Sequence, residues 1–378
     1  PRQVIDELRV NAHQKDYLPV RGLPALREAV AEYNIRTQGV PRTADDILIG
    51  PGSKEMMFIL QMVYYGEIII PSPAWVSYAP QARIAGRQIL WIHTRYENGW
   101  RVTPDELEAV CREDPDKPRI LILNYPGNPT GGTYSMEELQ ALAEVAHNYR
   151  VVVLSDEIYG ELHFAGQHVS IARFYPEGTI ISSGLSKWCG AGGWRLGTFS
   201  FPATMDWLLD AMATVASETY TSTSTPIQYA AVRAFRGSGS LERYLWLARR
   251  ILGALGSWCA TRLEACGARV LHPSGAFYLF PDFSPLEDKL HRRGIVTSRV
   301  LCESLLEETG VATLPGSEFG RSTFEMTVRI SLVDFDGARA MAGLETMARD
   351  APVTEEFLRT HCDHTMRAVE LMADWVAQ

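Results

Sequence analysis

The chain has 378 residues, of which 46% are hydrophobic and 21% charged, so it is long enough for two domains with a large core. Its formal net charge of −9 excludes a broad basic surface, and we expect neither nucleic acid nor an anionic membrane as a partner. No apolar run approaches the roughly 20 residues of a spanning helix, and six scattered cysteines without a CxxC pair predict free thiols in a reducing compartment such as the cytoplasm.

Seven short apolar runs alternate with helix-length amphipathic stretches over the first 200 residues. The runs show little period-two alternation, which is typical of strands covered on both faces. They occupy residues 47–49, 68–70, 89–92, 120–123, 151–154, 179–181 and 196–199. Residues 103–106 (Thr-Pro-Asp-Glu) and 135–138 (Ser-Met-Glu-Glu) have the sequence of helix starts. This alternation predicts an α/β fold with a mostly parallel central sheet flanked by helices.

The pattern changes near residue 250. An amphipathic stretch at residues 241–266 leads to strand-like pieces at 270–283, and a helical tail follows at 355–377. We therefore predict a large α/β domain over residues 1–250, expected to hold any cofactor, and a smaller α+β C-terminal domain over residues 251–378.

Polar or glycine-rich residues follow five of the apolar runs. In open α/β sheets, ligands bind outside the carboxyl ends of the strands, so these segments are where a site is expected. They are residues 50–54, 71–75, 124–128, 155–159 and 182–187.

Three of these segments contain motifs that are weak signals one by one. Asp156 alone would be a helix cap, Lys187 a surface lysine, and residues 128–132 (Asn-Pro-Thr-Gly-Gly) a turn. The order Asn-Pro-Thr-Gly, Asp-x-x-Tyr, Ser-Lys, Gly-Trp-Arg-x-Gly is far more specific. In that order the motifs resemble the class I and II aminotransferases of pyridoxal phosphate fold type I. Residues 75–78 (Trp-Val-Ser-Tyr) look like the bacterial-type aspartate aminotransferase subgroup.

The resemblance implies pyridoxal 5'-phosphate (PLP) as cofactor and assigns roles around its ring. Lys187 would form a Schiff base with the cofactor aldehyde and carry the catalytic proton. Asp156 would pair with the pyridine nitrogen, while Tyr159 and Asn128 would hydrogen-bond the phenolic oxygen. Trp75 would stack on the ring, although an ordinary core tryptophan is the alternative. Asn128 and Trp75 are also expected to contact the substrate.

The phosphate of PLP needs anion donors. Gly52, Ser53 and Lys54 precede a helical stretch, whose free backbone N–H groups and dipole can hold a dianion. The resemblance adds Arg195, whose guanidinium suits a phosphate.

One position departs from the family pattern. The residue three before the lysine, often serine in the family, is Gly184 here. Ser183 or Ser186 would supply the hydroxyl instead, and the sequence does not choose between them.

Two further resemblances concern the substrate and a second subunit. Arg329 resembles the arginine that binds the substrate α-carboxylate, and a structural salt bridge is the alternative for an arginine in an apolar strand. Tyr17 resembles the tyrosine that reaches the phosphate of the neighbouring subunit, and residues 219–225 resemble a loop at the dimer interface. The resemblance therefore implies a homodimer with shared active sites.

These features together predict a PLP-dependent aminotransferase that moves an amino group between an amino acid, with aspartate favoured, and a 2-oxo acid. A PLP-dependent lyase or decarboxylase with the same motifs is the nearest alternative. A non-catalytic regulator would need a basic DNA-binding domain, which the sequence does not contain. We locate no second arginine for a side-chain carboxylate, so other amino acids remain open. No metal is expected, because residues 361–364 (His-Cys-Asp-His) read as a solvated helix face.

Overall fold

All seven apolar runs lie in one central sheet in the computed structural model, which describes residues 1–378. The strands are β1 (Ile47–Gly50), β2 (Glu67–Ser72), β3 (Ile89–His93), β4 (Arg119–Asn124), β5 (Val152–Asp156), β6 (Thr179–Gly184) and β7 (Gly197–Ser200). Their order is β1-β7-β6-β5-β4-β2-β3. Neighbours from β3 to β6 are parallel, whereas β7 runs antiparallel to β1 and β6. The mostly parallel sheet is confirmed.

Helices cover both faces of this sheet. Because successive strand residues point to opposite faces, Ile68 and Ile70 of β2 pack into one apolar cluster and Ile69 into another. The helices are α1 (Arg2–Asn11), α2 (Pro24–Gln38), α3 (Ser53–Val63), α4 (Tyr78–Ile84), α5 (Pro104–Arg112), α6 (Met136–Asn148), α7 (Asp206–Thr219), α8 (Thr225–Arg236), α9 (Gly239–Ala265), α10 (Glu287–Arg292), α11 (Ser298–Thr309), α12 (Gly337–Glu345), α13 (Glu355–His361) and α14 (Asp363–Ala377). Helices α3, α4 and α7 pack on the first face, and α5 and α6 on the second.

Both predicted helix starts have the hydrogen bonds of a capping box. The Ser135 hydroxyl accepts from the Glu138 N–H at 3.2 Å, and the Glu138 carboxylate accepts from the Ser135 N–H at 2.7 Å. The same reciprocal pair joins Thr103 and Glu106 at the start of α5. These bonds satisfy backbone donors that a helix start otherwise leaves free.

The C-terminal part contains a second, antiparallel sheet. Its strands are β8 (Tyr278–Leu279), β9 (Leu314–Pro315) and β10 (Val328–Ser331), in the order β8-β10-β9. The strand-like region at residues 270–283 thus contains only a two-residue strand. The helical tail is two helices, because Cys362 between α13 and α14 has a non-helical backbone (φ −126°, ψ 22°) and a buried side chain.

Helix α9 lies between the two sheets. Its 27 residues include position 250, where the domain boundary was predicted. Leu247 and Leu255 of α9 pack into the C-terminal apolar cluster, whereas Leu245 and Leu252 pack into a cluster of the N-terminal part. The helix therefore belongs to both cores, and the division at residue 250 stays a prediction.

Two further properties concern the whole molecule. None of the helices has the length and apolar character required to cross a membrane. No group of three or more His, Cys, Asp and Glu side chains is placed to hold a metal ion.

Candidate active site

The carboxyl ends of β1, β2, β4, β5 and β6 surround one cavity of about 370 Å³. Nine of the twelve residues predicted for the site lie on its wall. They are Ser53, Lys54, Trp75, Asn128, Asp156, Tyr159, Ser186, Lys187 and Arg195. Gly52 adjoins this wall, Arg329 contacts Asn128, and Tyr17 lies elsewhere.

Asp156 is buried at the end of β5, where three neighbours hold it. The Tyr78 hydroxyl donates to its Oδ2 at 2.6 Å, the Ser182 hydroxyl donates to its Oδ1 at 3.4 Å, and Asn124 donates to its backbone carbonyl at 2.9 Å. Burial raises the pKa of the Asp156 carboxyl to about 6, although the Tyr78 hydrogen bond opposes the shift. A cation placed against this carboxylate would be strongly favoured.

Sequence reasoning did not identify those three neighbours as site residues. Tyr78 is the last residue of the Trp-Val-Ser-Tyr motif, and no role was predicted for it. Its position three residues after Trp75 is the only feature of the sequence that could have indicated a site residue. Asn124 and Ser182 stood within the strand-end segments without an assigned role. Asn124 and Ser182 are recognised as neighbours of Asp156 only because β4, β5 and β6 pair side by side.

Lys187 extends into the cavity without a hydrogen bond or ion pair, and its Nζ lies 5.8 Å from the centroid of the Tyr159 ring. Burial lowers the pKa of the Lys187 amine from its ordinary value, Asp156 opposes the shift, and the charges of Arg195 and Arg329 add to it. A larger share of this amine is therefore neutral than in a surface lysine. A neutral, unpaired amine is the form that can attack an aldehyde or accept a proton.

An anion cradle lies at the start of α3. Gly52 has φ +97°, and a Cβ built there would lie 2.3 Å from the Nη2 atom of Arg195. A Cβ on Gly197 would lie 2.3 Å from the backbone nitrogen of Ser53. Both positions must be glycine for the guanidinium and the first N–H groups of the helix to converge, an arrangement that suits a phosphate. Of the two candidate serines, Ser186 lines the cavity and Ser183 does not.

Arg329 of β10 lies at the other side of Asn128. Its Nη1 donates to the Asn128 Oδ1 at 3.3 Å, and its guanidinium lies over the rings of Tyr278 and Phe319, 4.9 Å and 5.2 Å from their centroids. Its buried Nε has no partner, and Arg329 forms no salt bridge. The structural salt bridge considered from the sequence is absent. A buried guanidinium with free donors suits a carboxylate ligand.

Aromatic side chains form the remaining walls. Trp75 lines the cavity rather than the deep core, with its ring edge-on to Tyr78 at 5.3 Å and the Lys54 Nζ 5.0 Å from its centroid. The Tyr159 hydroxyl lies 3.0 Å from that of Tyr278. Trp75 therefore offers a flat face to a ligand ring.

Tyr17 is the one predicted residue that the structure leaves far from the others. Its side chain is 87% exposed and does not line the cavity. The adjacent Asp16 carbonyl accepts a 2.7 Å hydrogen bond from the Thr225 hydroxyl, which ties the Tyr17 segment to residues 219–225. The two segments therefore lie side by side.

The donor set fits a phosphorylated aromatic cation that carries an aldehyde. A buried carboxylate, a glycine-lined phosphate cradle and an unpaired lysine amine line the same cavity. These are the requirements of PLP: an acid for the ring nitrogen, donors for the phosphate and an amine for the aldehyde.

Comparisons with known proteins agree with this chemistry. Residues 3–339 match the family model described as aminotransferase class I and II. An aspartate aminotransferase of Bacillus sp. (strain YM-2) is 35% identical over 324 residues, which are 83% of this chain and 79% of that protein. The aspartate/prephenate aminotransferase of Thermus thermophilus is 34% identical over 306 residues, or 80% and 76% of the two chains. The structure of aspartate aminotransferase from Thermus thermophilus with maleate superposes with a TM-score of 0.80 at 31% identity, covering 99% of this chain and 88% of that one.

Proposed function

Because the chain belongs to the class I and II aminotransferase family, we propose that it uses PLP to move the amino group of aspartate, or a similar dicarboxylic amino acid, to a 2-oxo acid. The observation that carries this proposal is the meeting of Lys187, Asp156 and Arg195 around one cavity with Arg329 beside it. The aspartate preference rests on the relatives and on the charges of this cavity.

PLP would supply an electron sink for the negative charge that develops at the amino acid Cα. Asp156 would keep the pyridine nitrogen protonated, because its buried carboxylate would gain a cationic partner. Tyr159 and Asn128, which line the cavity, would donate to the phenolic oxygen, and Trp75 would cover one face of the ring. Lys187 would move the proton of Cα, because a neutral Nζ at this position can accept it and give it back.

The phosphate would lie in the cradle at the start of α3. Gly52 and Ser53 supply backbone N–H groups, Arg195 supplies the guanidinium and Ser186 supplies a hydroxyl. The assignment of the hydroxyl to Ser186 follows from its position on the cavity wall.

Two cations would each bind one carboxylate of a dicarboxylic substrate. Arg329 and Asn128 bind the α-carboxylate, since the guanidinium has free donors and no acidic partner. Lys54 lies on the same wall, forms no ion pair and is placed over Trp75. With Arg195 assigned to the phosphate, Lys54 is the remaining cation for a side-chain carboxylate. This extends its predicted role in holding the cofactor.

The test is an absorbance titration of the PLP-loaded protein with single amino acids, in the absence of any 2-oxo acid. Aspartate is expected to convert the bound aldehyde form of the cofactor to its amine form in stoichiometric amount, and alanine to do so only at much higher concentration. Multiple turnovers of aspartate without that conversion would favour a lyase or decarboxylase.

The same titration measures how much Lys54 contributes to the preference for aspartate over alanine. The Lys54→Gln variant is expected to need about tenfold more aspartate for half conversion, whereas its response to alanine stays unchanged, because only aspartate carries the second charge. Lys289→Gln, on the distant helix α10, is the matched control. Equal losses for both amino acids would assign Lys54 to the cofactor alone.

The exposed position of Tyr17 supports a homodimer in which Tyr17 of the partner subunit reaches the phosphate. Lys187→Ala and Tyr17→Ala would each damage both sites of their own dimers. In dimers mixed by co-refolding, the Tyr17→Ala subunit supplies Lys187 and the Lys187→Ala subunit supplies Tyr17. Random mixing places half of the subunits in such hybrids, each with one intact site, so about one quarter of the wild-type activity should return. No gain on mixing, or a monomer by light scattering, would rule out the shared site.

A further inference from the structure

We propose that Arg321 is a positioning residue for substrate binding: it fixes the turn that carries Phe319 against the end of β2 and thereby sets the place of Arg329. The inference rests on the proposed function, in which Arg329 binds the substrate carboxylate. Arg321 lies in the C-terminal part of the chain, between β9 and β10, and does not line the cavity.

Arg321 joins the C-terminal part to the central sheet. Its Nη1 donates to the Ser72 carbonyl at 3.2 Å, to the Ser72 hydroxyl at 3.3 Å and to the Thr94 carbonyl at 3.0 Å. Its Nε and Nη2 donate to the Glu325 carboxylate at 2.8 Å and 3.1 Å. The side chain is only 9% exposed. A buried cation with three acceptors at the ends of β2 and β3 and with its own counter-ion is a defined contact rather than a surface ion pair.

The turn next to Arg321 is pressed onto the same edge of the sheet. The Ala74 N–H donates to the Phe319 carbonyl at 2.9 Å, one residue before Trp75. Gly320 has φ +82°, and a Cβ built on it would lie 2.6 Å from the Trp91 ring. The turn can approach this closely only with a glycine at that position. Arg321 and this turn therefore fix the C-terminal part directly beside the loop that carries Trp75.

The same turn determines where Arg329 lies. Phe319 is buried, and its ring centroid is 5.2 Å from the Arg329 guanidinium. The other contacts of that guanidinium are the Tyr278 ring and a 3.3 Å hydrogen bond to Asn128. No ion pair holds Arg329, so its orientation depends on the two rings and one amide. A shift of Phe319 would displace the guanidinium from the position in which it would meet the substrate carboxylate.

A purely structural role for Arg321 predicts different results. If its contacts only stabilise the fold, their removal lowers the melting temperature and weakens cofactor and substrate binding alike. If Arg321 positions Arg329, the loss concerns ligands that carry a carboxylate, while the cofactor end of the cavity is unaffected. The phosphate cradle, Asp156 and Lys187 lie at the ends of β1, β5 and β6, to which Arg321 donates no hydrogen bond.

The experiment compares Arg321→Met with Arg299→Gln in the PLP-loaded protein. Arg299 pairs with Glu318 of the same turn at 2.9 Å but is 63% exposed and does not reach the sheet, which makes it a matched control. Maleate, an unreactive dicarboxylate, serves as the binding probe and aspartate as the substrate. Arg321→Met is expected to raise the Kd of maleate and the KM of aspartate about tenfold, because a displacement of about 1 Å weakens a positioned contact severely.

Three further measurements complete the test. The visible absorbance of the bound cofactor and its dissociation constant should stay unchanged in Arg321→Met. Arg321→Lys should give an intermediate Kd for maleate, since an ammonium cannot reproduce the guanidinium fork. Phe319→Leu retains Arg321 and the turn but removes the ring from Arg329, so it should raise the Kd of maleate even if Arg321→Met folds poorly.

The results that would contradict the inference differ from those that would contradict the proposed function. A maleate Kd in Arg321→Met equal to that of Arg299→Gln, with an unaffected Phe319→Leu, would overturn the inference while leaving the proposed function intact. Equal losses of cofactor and maleate affinity would assign Arg321 a structural role. A wild-type protein that neither binds maleate nor transaminates would overturn the proposed function, and the inference with it.

Discussion

Replacing Lys187 with alanine is expected to abolish transamination while the fold persists. On the proposed function, the variant would lose both the amine that bonds the cofactor aldehyde and the group that moves the Cα proton. General acid–base catalysis alone contributes about 10²–10⁴-fold. A kcat reduced by at least about 10⁴-fold is therefore expected, together with loss of the visible absorbance due to covalently bound cofactor.

The stability of the same variant provides an independent readout. Lys187 makes no hydrogen bond or ion pair, and burial lowers the pKa of its amine, so the folded state gains nothing from its charge. The melting temperature of the cofactor-free Lys187→Ala protein should equal or exceed that of the wild type. Lys289→Ala controls for the loss of any lysine. Retained absorbance and turnover in Lys187→Ala would contradict the assignment of the nucleophile.

Asp156→Asn is expected to inactivate the enzyme and to stabilise the cofactor-free protein above neutral pH. In the proposed site, the ring nitrogen would lose its anionic partner, and loss of one such preorganised electrostatic contact reduces kcat by about 10²–10³-fold. The Tyr78 hydroxyl can still donate to the amide oxygen, so the local packing is retained. The cofactor should also dissociate more readily from this variant.

The stability change follows from the direction of the pKa shift. Burial raises the pKa of Asp156 in the folded protein to about 6, whereas an unfolded aspartate has a pKa of about 3.9. At low pH both states are protonated and ionisation costs nothing. As pH rises through this window, the unfolded state ionises more readily, and the folded protein loses about 3 kcal/mol relative to a side chain that cannot ionise.

Asparagine cannot ionise, so Asp156→Asn removes that loss. In urea unfolding of the cofactor-free proteins, the variant should be the more stable one at pH 8, and the difference should shrink towards pH 4. A difference that is the same at both pH values would show that the Asp156 pKa is not raised by folding. With PLP bound, the wild-type protein should instead be the more stable one, because the cationic ring stabilises the ionised Asp156 carboxylate.

Several groups of the site lower the stability of the folded protein when no ligand is bound. Asp156 is a buried acid, Lys187 an unpaired amine, and the Arg329 Nε a buried donor without a partner. Each of these costs falls when a phosphorylated cation and a carboxylate occupy the cavity. Cofactor binding should therefore stabilise the protein by relieving these groups as well as by mass action.

The apolar runs allowed the sheet and the position of the site to be predicted from the sequence. Each run contributes a strand, because strands covered on both faces favour apolar residues along their whole length. The site residues follow the runs directly, since the carboxyl ends of parallel strands share one edge. The order of the motifs predicted that Asn128, Asp156 and Lys187 belong to one site, and all three line the same cavity.

Contacts between distant parts of the chain were decided by the tertiary structure alone. Arg321 meets Ser72 across 249 positions, and Arg329 lies against Phe319 and Tyr278, which no periodicity or motif connects. Helix α9 likewise packs into two cores, although a change of pattern near residue 250 suggested a boundary there. Local patterns report which face of an element is buried, which is why strands and strand ends can be read from them. They do not report which element covers that face, because that choice depends on packing and hydrogen bonding between segments hundreds of residues apart.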